Sequence, residues 1–178
     1  MTLNEFTYIQ AIHVNDCFAY QNFDIDLKCN NGQFFSHLIL IGKNGSGKTT
    51  ILRGIEQCFE LELLENKSVE ILFDKEKRQN EFKEKSVFSF FKTNREMNSE
   101  EILTALLSRV ITIRTTINDK TYDPCGIVLL DGPEVHLHIE AQYQILPKLI
   151  KHFPNVQFIV ATHSPAVISS IKNTTIFD

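Results

Sequence analysis

Residues 34–65 read FFSHLILIGKNGSGKTTILRGIEQCFELELLE, and three patterns follow one another without a gap. Phe34 to Ile41 is largely apolar and stops at Gly42, which suits a strand buried on both faces of a helix-covered parallel sheet. From Thr49 onward Ile51, Leu52, Ile55, Cys58 and Phe59 recur with a helical period, so an amphipathic helix follows. Between them, Gly42-Lys43-Asn44-Gly45-Ser46-Gly47-Lys48-Thr49 satisfies GxxxxGK[ST] at every position. At ordinary glycine usage, chance yields that pattern in a chain of this length about 1% of the time. Glycines let the backbone curl so that successive N–H groups converge on phosphate oxygens at a helix N-terminus. The reading predicts a nucleoside-triphosphate site on Asn44, Gly45, Ser46, Gly47, Lys48, Thr49 and Thr50. Lys48 is placed to reach the β- and γ-phosphates, and the Thr49 hydroxyl to ligate Mg²⁺.

Working outward, the chain has 178 residues, enough for one domain with its own core. Hydrophobic residues make up 43% and charged residues 22%, which excludes global disorder. The net charge of −4 argues against a polybasic module whose task is gripping a phosphate backbone. Cys17, Cys29, Cys58 and Cys125 form no CxxC and no zinc-ribbon spacing, so they read as scattered thiols of a reduced compartment. The first ten residues lack a secretory pattern, and no apolar stretch is long enough for a membrane helix. The expected location is the cytoplasm, with no membrane partner.

Elsewhere, Tyr8 to Val14 and Phe23 to Leu27 read as an N-terminal strand pair. Asp74 to Lys85 is a polar, mixed-charge stretch, expected to be a solvated face within a short variable insertion at about 66–98. Val87 to Phe91 reads as a short strand, and Asn98 or Ser99 as the cap of a helix running to about Val110. Ile127 to Leu130 and Val156 to Ala161 are buried-strand patterns. Ile139 to Phe153 is helical, with Pro147 expected to kink or divide it. Pro165 to Ile171 is a helix and Thr174 to Phe177 a last strand. Alternating strands and helices predict a three-layer α/β fold of the P-loop type, as a single domain around a mainly parallel sheet.

P-loop proteins bring an acid to the magnesium shell from a second strand beside the loop. Ile127-Val128-Leu129-Leu130-Asp131 is the candidate, since four apolar residues bury the strand and leave Asp131 at its tip. His136, His138 and His163 with Asp131 raise the thought of zinc, but phosphate chemistry accounts for these residues more simply. His163 follows a buried strand, where strand ends gather around a ligand.

The segment GIVLLDGPEVHLHIEAQYQILPKLIKHFPNVQFIVATHSPAVISSI, Gly126 to Ile171, resembles the C-terminal half of ABC/RecF-type ATPase heads. Among these it resembles the bacterial AAA-family ATPases grouped with OLD-like and Septu-type anti-phage defence ATPases. Val14-Asn15, Phe18-Ala19-Tyr20 and Phe23 to Leu27 resemble how such heads begin. The resemblance implies that Asp131 is the Walker B acid, that Glu134 to His138 form the D-loop region, and that His163 is the switch histidine sensing the γ-phosphate. It also implies a head-to-tail pair of heads, as a homodimer or hetero-assembly with ATP between them, and a nuclease effector or DNA as further partners. This chain departs from the pattern at two places. Gly132 stands where the family has a catalytic glutamate, leaving Glu134 as the substitute base, and a glutamate restored at 132 is expected to speed turnover. Met97 to Glu101 is the only relic of the signature motif, with Glu100 opposing a partner's γ-phosphate; Gln79 is the nearest thing to a Q-loop residue. The expected function is an ATPase head that hydrolyses ATP slowly in a defence or DNA-repair-type complex. The alternative is a hydrolysis-deficient, ATP-gated scaffold, and a small P-loop kinase is disfavoured by the HLH and THSP elements.

Overall fold

The computed structural model describes residues 8–17, 20–27, 35–61, 68–73, 86–92, 99–171 and 174–177. Along the chain these form β1 (Ile9–Cys17), β2 (Tyr20–Asp26), β3 (His37–Leu40), α1 (Lys48–Leu61), β4 (Val69–Phe73) and β5 (Ser86–Lys92). They continue with α2 (Ser99–Thr116), β6 (Cys125–Asp131), α3 (Ile139–His152), β7 (Val156–Ala161), α4 (Pro165–Ser169) and β8 (Thr174–Phe177). Five strands make a sheet in the order β5-β6-β7-β3-β8, with every neighbouring pair parallel. The other three make an antiparallel sheet in the order β2-β1-β4.

The central parallel strands β3, β6 and β7 are largely apolar because both faces are covered. Leu38, Leu40, Ile127, Leu129 and Ile159 join one core with Ile51, Leu52 and Ile55 of α1 and Ile12, Ile25 and Ile71 of the antiparallel sheet. Their alternate neighbours Ile39, Val128, Leu130, Phe158 and Val160 face the other way, against Ile102, Leu106 and Val110 of α2 and Leu146 and Leu149 of α3. Side chains alternate across a strand, so a strand between two covers is apolar wherever a polar side chain finds no partner. Three layers result, and the expected P-loop type α/β architecture is the one observed.

Gln157 bonds the two sheets together. Fully buried on β7, it accepts the Ile9 N–H at 2.9 Å and donates to the carbonyls of Ile9 and Ser36, each at 2.9 Å. Nearby, the Tyr8 hydroxyl donates to the Asn155 carbonyl at 2.9 Å. One amide thus satisfies three backbone groups that would otherwise be buried without partners.

Several expectations need adjusting. The N-terminal strand pair gains a third strand, β4, so Val69–Phe73 belongs to the antiparallel sheet, while Ser86–Lys92 forms the edge of the parallel one. Residues 74–85, Gln79 among them, lie outside the described residues. Helix α2 runs past Val110 to Thr116 because the buried series 102, 106, 110 continues at Ile113. The hydroxyls of Thr112, Thr115 and Thr116 donate back to carbonyls four residues earlier, which accommodates these β-branched residues in a helix. Asn118, in the left-handed region at φ 54°, then ends the turn. Pro147 does not divide α3, which is continuous from Ile139 to His152. Pro147 lies on the exposed face, where a carbonyl deprived of its helical donor can turn to water. Cys58 and Cys125 are buried and in no disulfide, and burial pushes the Cys125 thiol up.

His37, at the start of β3, accepts the Phe158 N–H on Nδ1 at 3.1 Å and packs against the rings of Phe35 and Phe158. Burial lowers its pKa from 6.5 to about 4. Between those values the unfolded chain holds a proton that the folded chain does not. Its stability contribution is therefore complete above the unfolded pKa and is lost as pH falls towards the folded one. His37→Asn keeps an acceptor and removes the titration. Urea unfolding should show the wild type losing up to about 3 kcal/mol more than His37→Asn on acidification from neutral pH to pH 4. Parallel pH profiles would contradict this.

Candidate functional site

The five parallel strands all end on one row of the sheet. Phe177 pairs with Leu40, Leu40 with Ala161, Ala161 with Asp131 and Asp131 with Lys92, and each is the last residue of its strand. The segments that leave these ends, 41–47 after β3, 132–138 after β6 and 162–164 after β7, therefore emerge side by side. Parallel α/β sheets bind ligands at this edge. An open cleft there is lined by Asn44, Gly45, Lys48, Thr49, Asp131 and His163, with Gly47, Thr50, Gly132 and Ala161.

The phosphate loop has the backbone its sequence requires. Gly42, Gly45 and Gly47 have φ of 128°, 81° and 102°. A Cβ at Gly45 would touch nothing within 4 Å, so glycine is needed there for its conformation and not for space. Lys48 is buried and donates to the carbonyls of Gly42 and Lys43 at 2.8 and 2.9 Å and to Ser46 Oγ at 3.3 Å. Its own loop thus holds the ammonium at the cleft.

Thr49 and Asp131 meet, the hydroxyl donating to Asp131 Oδ2 at 2.9 Å. The acid does not come from the strand beside the loop: β7 lies between β3 and β6. Contact is made across Ala161, whose small side chain lines the cleft floor between them. Two oxygens at this separation suit Mg²⁺, because cis ligands of an octahedron with bonds of about 2.0–2.1 Å stand about 2.9 Å apart. The hydroxyl and carboxylate are the hard donors that ion prefers.

The turn after β6 is bounded by two left-handed residues, Gly132 at φ 67° and His136 at φ 64°. It carries Pro133 and Glu134 back into the protein. Glu134 is only 9% exposed, its Oε1 accepts the His163 N–H at 2.8 Å, and it does not line the cleft. His163 does line it, with an exposed side chain. His136 and His138 are exposed on the turn, His138 capping α3 by backbone geometry alone.

The structure thus brings together the phosphate loop, Asp131 and His163, and leaves Glu134 behind them. Met97 and Asn98 lie outside the described residues; Glu100 and Glu101 open α2, beside a shallow hollow with Thr104 and Ala105. Sequence reading missed Gln142. Its Nε2 donates to the Leu137 carbonyl at 2.9 Å and its Oε1 accepts from the Ser164 hydroxyl at 2.6 Å. No motif marks a lone glutamine on a helix. Ser164-Pro165 did carry a signal, a capping serine before a proline at the first helical position.

Residues 101–169 match the family described as "AAA domain, putative AbiEii toxin, Type IV TA system", a span that includes Asp131, Glu134 and His163 and excludes the phosphate loop. The chain is 40% identical over 81 residues to the retron Ec83 probable ATPase of Escherichia coli, covering 44% of this chain and 15% of that protein. It is 39% identical over 77 residues to the retron Vc95 probable ATPase of Vibrio cholerae, covering 42% of this chain and 15% of that protein. It is 41% identical over 46 residues to the Septu protein PtuA of Bacillus mycoides, covering 26% of this chain and 6% of that protein. The match thus spans less than a sixth of each relative's length. The resemblance to AAA-family ATPases, Septu-type ones included, is borne out by these relatives.

The left-handed backbone at Gly132 bears on what can stand there, since a non-glycine residue in that conformation costs about 1–2 kcal/mol. Gly132→Ala and Gly132→Glu should each lower stability by about that amount in urea titrations. Undiminished stability in both variants would refute this account of the turn.

Proposed function

We propose that the chain is an ATP-binding head whose cleft takes the triphosphate of Mg-ATP. The observation that carries this reading is the convergence of Lys48, Thr49, Asp131 and His163 on one cleft beyond the strand ends. Backbone N–H groups from Asn44 to Thr50, at the start of the 14-residue helix α1, would cradle the phosphate oxygens. Lys48 would exchange the carbonyls of Gly42 and Lys43 for β- and γ-phosphate oxygens. Thr49 and Asp131 would hold Mg²⁺, which when bound offsets charge on the phosphates. His163 would contact the terminal phosphate.

Hydrolysis to ADP and phosphate is slow in this reading. Among the described residues that line the cleft the only carboxylate is Asp131, which the metal claims. A positioned general base usually contributes about 10²- to 10⁴-fold, so its absence depresses turnover while leaving binding largely intact. The same observation favours the second reading, an ATP-gated scaffold without hydrolysis, and single-turnover measurements separate the two. Resemblance supports the wider setting: a head-to-tail pair, or a hetero-assembly, within a cytoplasmic bacterial defence or DNA-repair-type complex. A nuclease effector or DNA as partner rests on resemblance alone.

Calorimetry tests the core of this reading. Wild type should bind Mg-ATP, and Lys48→Ala should lower its affinity by about ten-fold or more, in keeping with removal of a charged hydrogen-bond donor. Unchanged affinity in Lys48→Ala would sink it. Sedimentation tests the pairing: ATP should promote dimers, and Glu100→Gly should strengthen them by removing a carboxylate that opposes the partner's phosphate. A monomer in every nucleotide state, indifferent to Glu100→Gly, would leave only assembly with a different subunit.

A further inference from the structure

Two tethers join the turn after β6 to the loop after β7. The first is the acceptance of the His163 N–H by Glu134 Oε1 at 2.8 Å. The second runs from the Leu137 carbonyl through Gln142 to the Ser164 hydroxyl, in contacts of 2.9 and 2.6 Å. Ser164 is fixed twice more: its N–H donates to Thr162 Oγ1 at 3.0 Å and its Oγ accepts the Val167 N–H at 3.3 Å. Thr162 is in turn pinned to β3 through the Leu40 carbonyl at 3.0 Å. The backbone on both sides of His163 is therefore held, while its side chain stands free at the cleft.

Glu134 is poorly placed to act on a water molecule in that cleft. One oxygen is committed to a backbone N–H; the other, Oε2, is buried without a hydrogen-bond partner among the described residues. The side chain is 9% exposed and absent from the cleft lining. What it does reach is the residue that lines the cleft. A single acceptor is all the His163 N–H needs, and an ionised oxygen buried without a partner is a cost.

Building on the reading that the cleft binds ATP, we propose that Glu134 is a positioning residue. Its side chain acts as a neutral-equivalent acceptor that sets the His163 backbone, so that the imidazole meets the terminal phosphate, with Gln142 and Ser164 as the second tether. The glutamine of Glu134→Gln offers the same acceptor at the same length and lacks only the charge and basicity. Loss of function through the base and loss through the tether therefore separate in one pair of variants.

The test is the ratio of Mg-ATP to Mg-ADP affinity, measured by calorimetry on the whole chain, which requires no turnover. His163→Ala should lower the ratio about ten-fold, the scale of one charged hydrogen bond. Glu134→Ala should lower it by a similar factor and add nothing to His163→Ala in the double variant. Glu134→Gln should keep the ratio within about two-fold of wild type, with a melting temperature no lower. Gln142→Ala, a separate arm if Glu134→Ala fails to fold, should lower the ratio in the same direction. A Glu134→Gln ratio as low as that of His163→Ala would overturn the proposal, as would equal wild-type affinity for ATP and ADP. Either result leaves Mg-ATP binding and its dependence on Lys48 intact, whereas failure of the ATP-binding reading would abolish both.

Discussion

The site depends on one constraint: five parallel strands of different lengths end on the same row. Because Phe177, Leu40, Ala161, Asp131 and Lys92 are in register, every connection at that edge starts from one level. Asp131 nevertheless stands two strands from Leu40, about 9–10 Å across the sheet at ordinary spacing. The loop after β3 closes that distance by carrying the first turn of α1 over the end of β7. The 2.9 Å contact between Thr49 and Asp131 marks where the crossing succeeds. A larger side chain at Ala161 would stand between them. The register thus supplies the level, the glycine loop supplies the reach, and a small residue clears the way.

The second constraint is the buried amide of Gln157. The antiparallel sheet shares a hydrophobic core with the parallel one, but a core fixes no register. Hydrogen bonds do, and Gln157 bonds both polar groups of Ile9 together with the Ser36 carbonyl just before β3. The two sheets are held together at the opposite end of β3 from the phosphate loop. At the cleft end the contact between the sheets is apolar, with Phe23 of β2 stacked on Phe177, the last residue of β8, at 4.8 Å.

Much of this was readable in the sequence, for identifiable reasons. Strands covered on both faces are largely apolar, so β3, β6 and β7 announced themselves, as did α1 through its periodic stripe. The phosphate loop was legible because left-handed backbone demands glycine, and Asp131 because a charge ending an apolar run must lie at its tip. The edge strand β5 was readable as the aromatic run Val87 to Phe91, whereas β4 was not, since it is short, partly exposed and bordered by polar chain. That Asp131 sits two strands from the loop was not legible either, because periodicity gives each strand's faces and not its neighbours. Pro147 misled by appearing as a breaker, when the side of the helix it occupies decides its effect. Glu134 misled in a subtler way. Sequence places it three residues after Asp131, yet the left-handed turns at Gly132 and His136 rotate it away from the cleft and into the protein.

That rotation also bears on how binding and turnover divide. Phosphoryl transfer in P-loop proteins is mainly a matter of positioning and electrostatic stabilisation. In the proposed reading, positioning of the nucleotide asks for the loop, Lys48, and Thr49 and Asp131 to hold a metal, and these residues converge on one cleft. Positioning of the water asks for a further acceptor facing the cleft, and the backbone turns aside just where one would be expected. Gly132 cannot serve, having no side chain; Glu134 cannot easily serve, having spent an oxygen on the His163 N–H. The two demands fall on different segments, the first on the loop after β3 and the second on the turn after β6. A chain can therefore keep a complete seat for the nucleotide while the water stays unguided. In the proposed pair of heads closed on ATP, an acceptor supplied by the facing subunit would guide the water, and turnover would then report assembly.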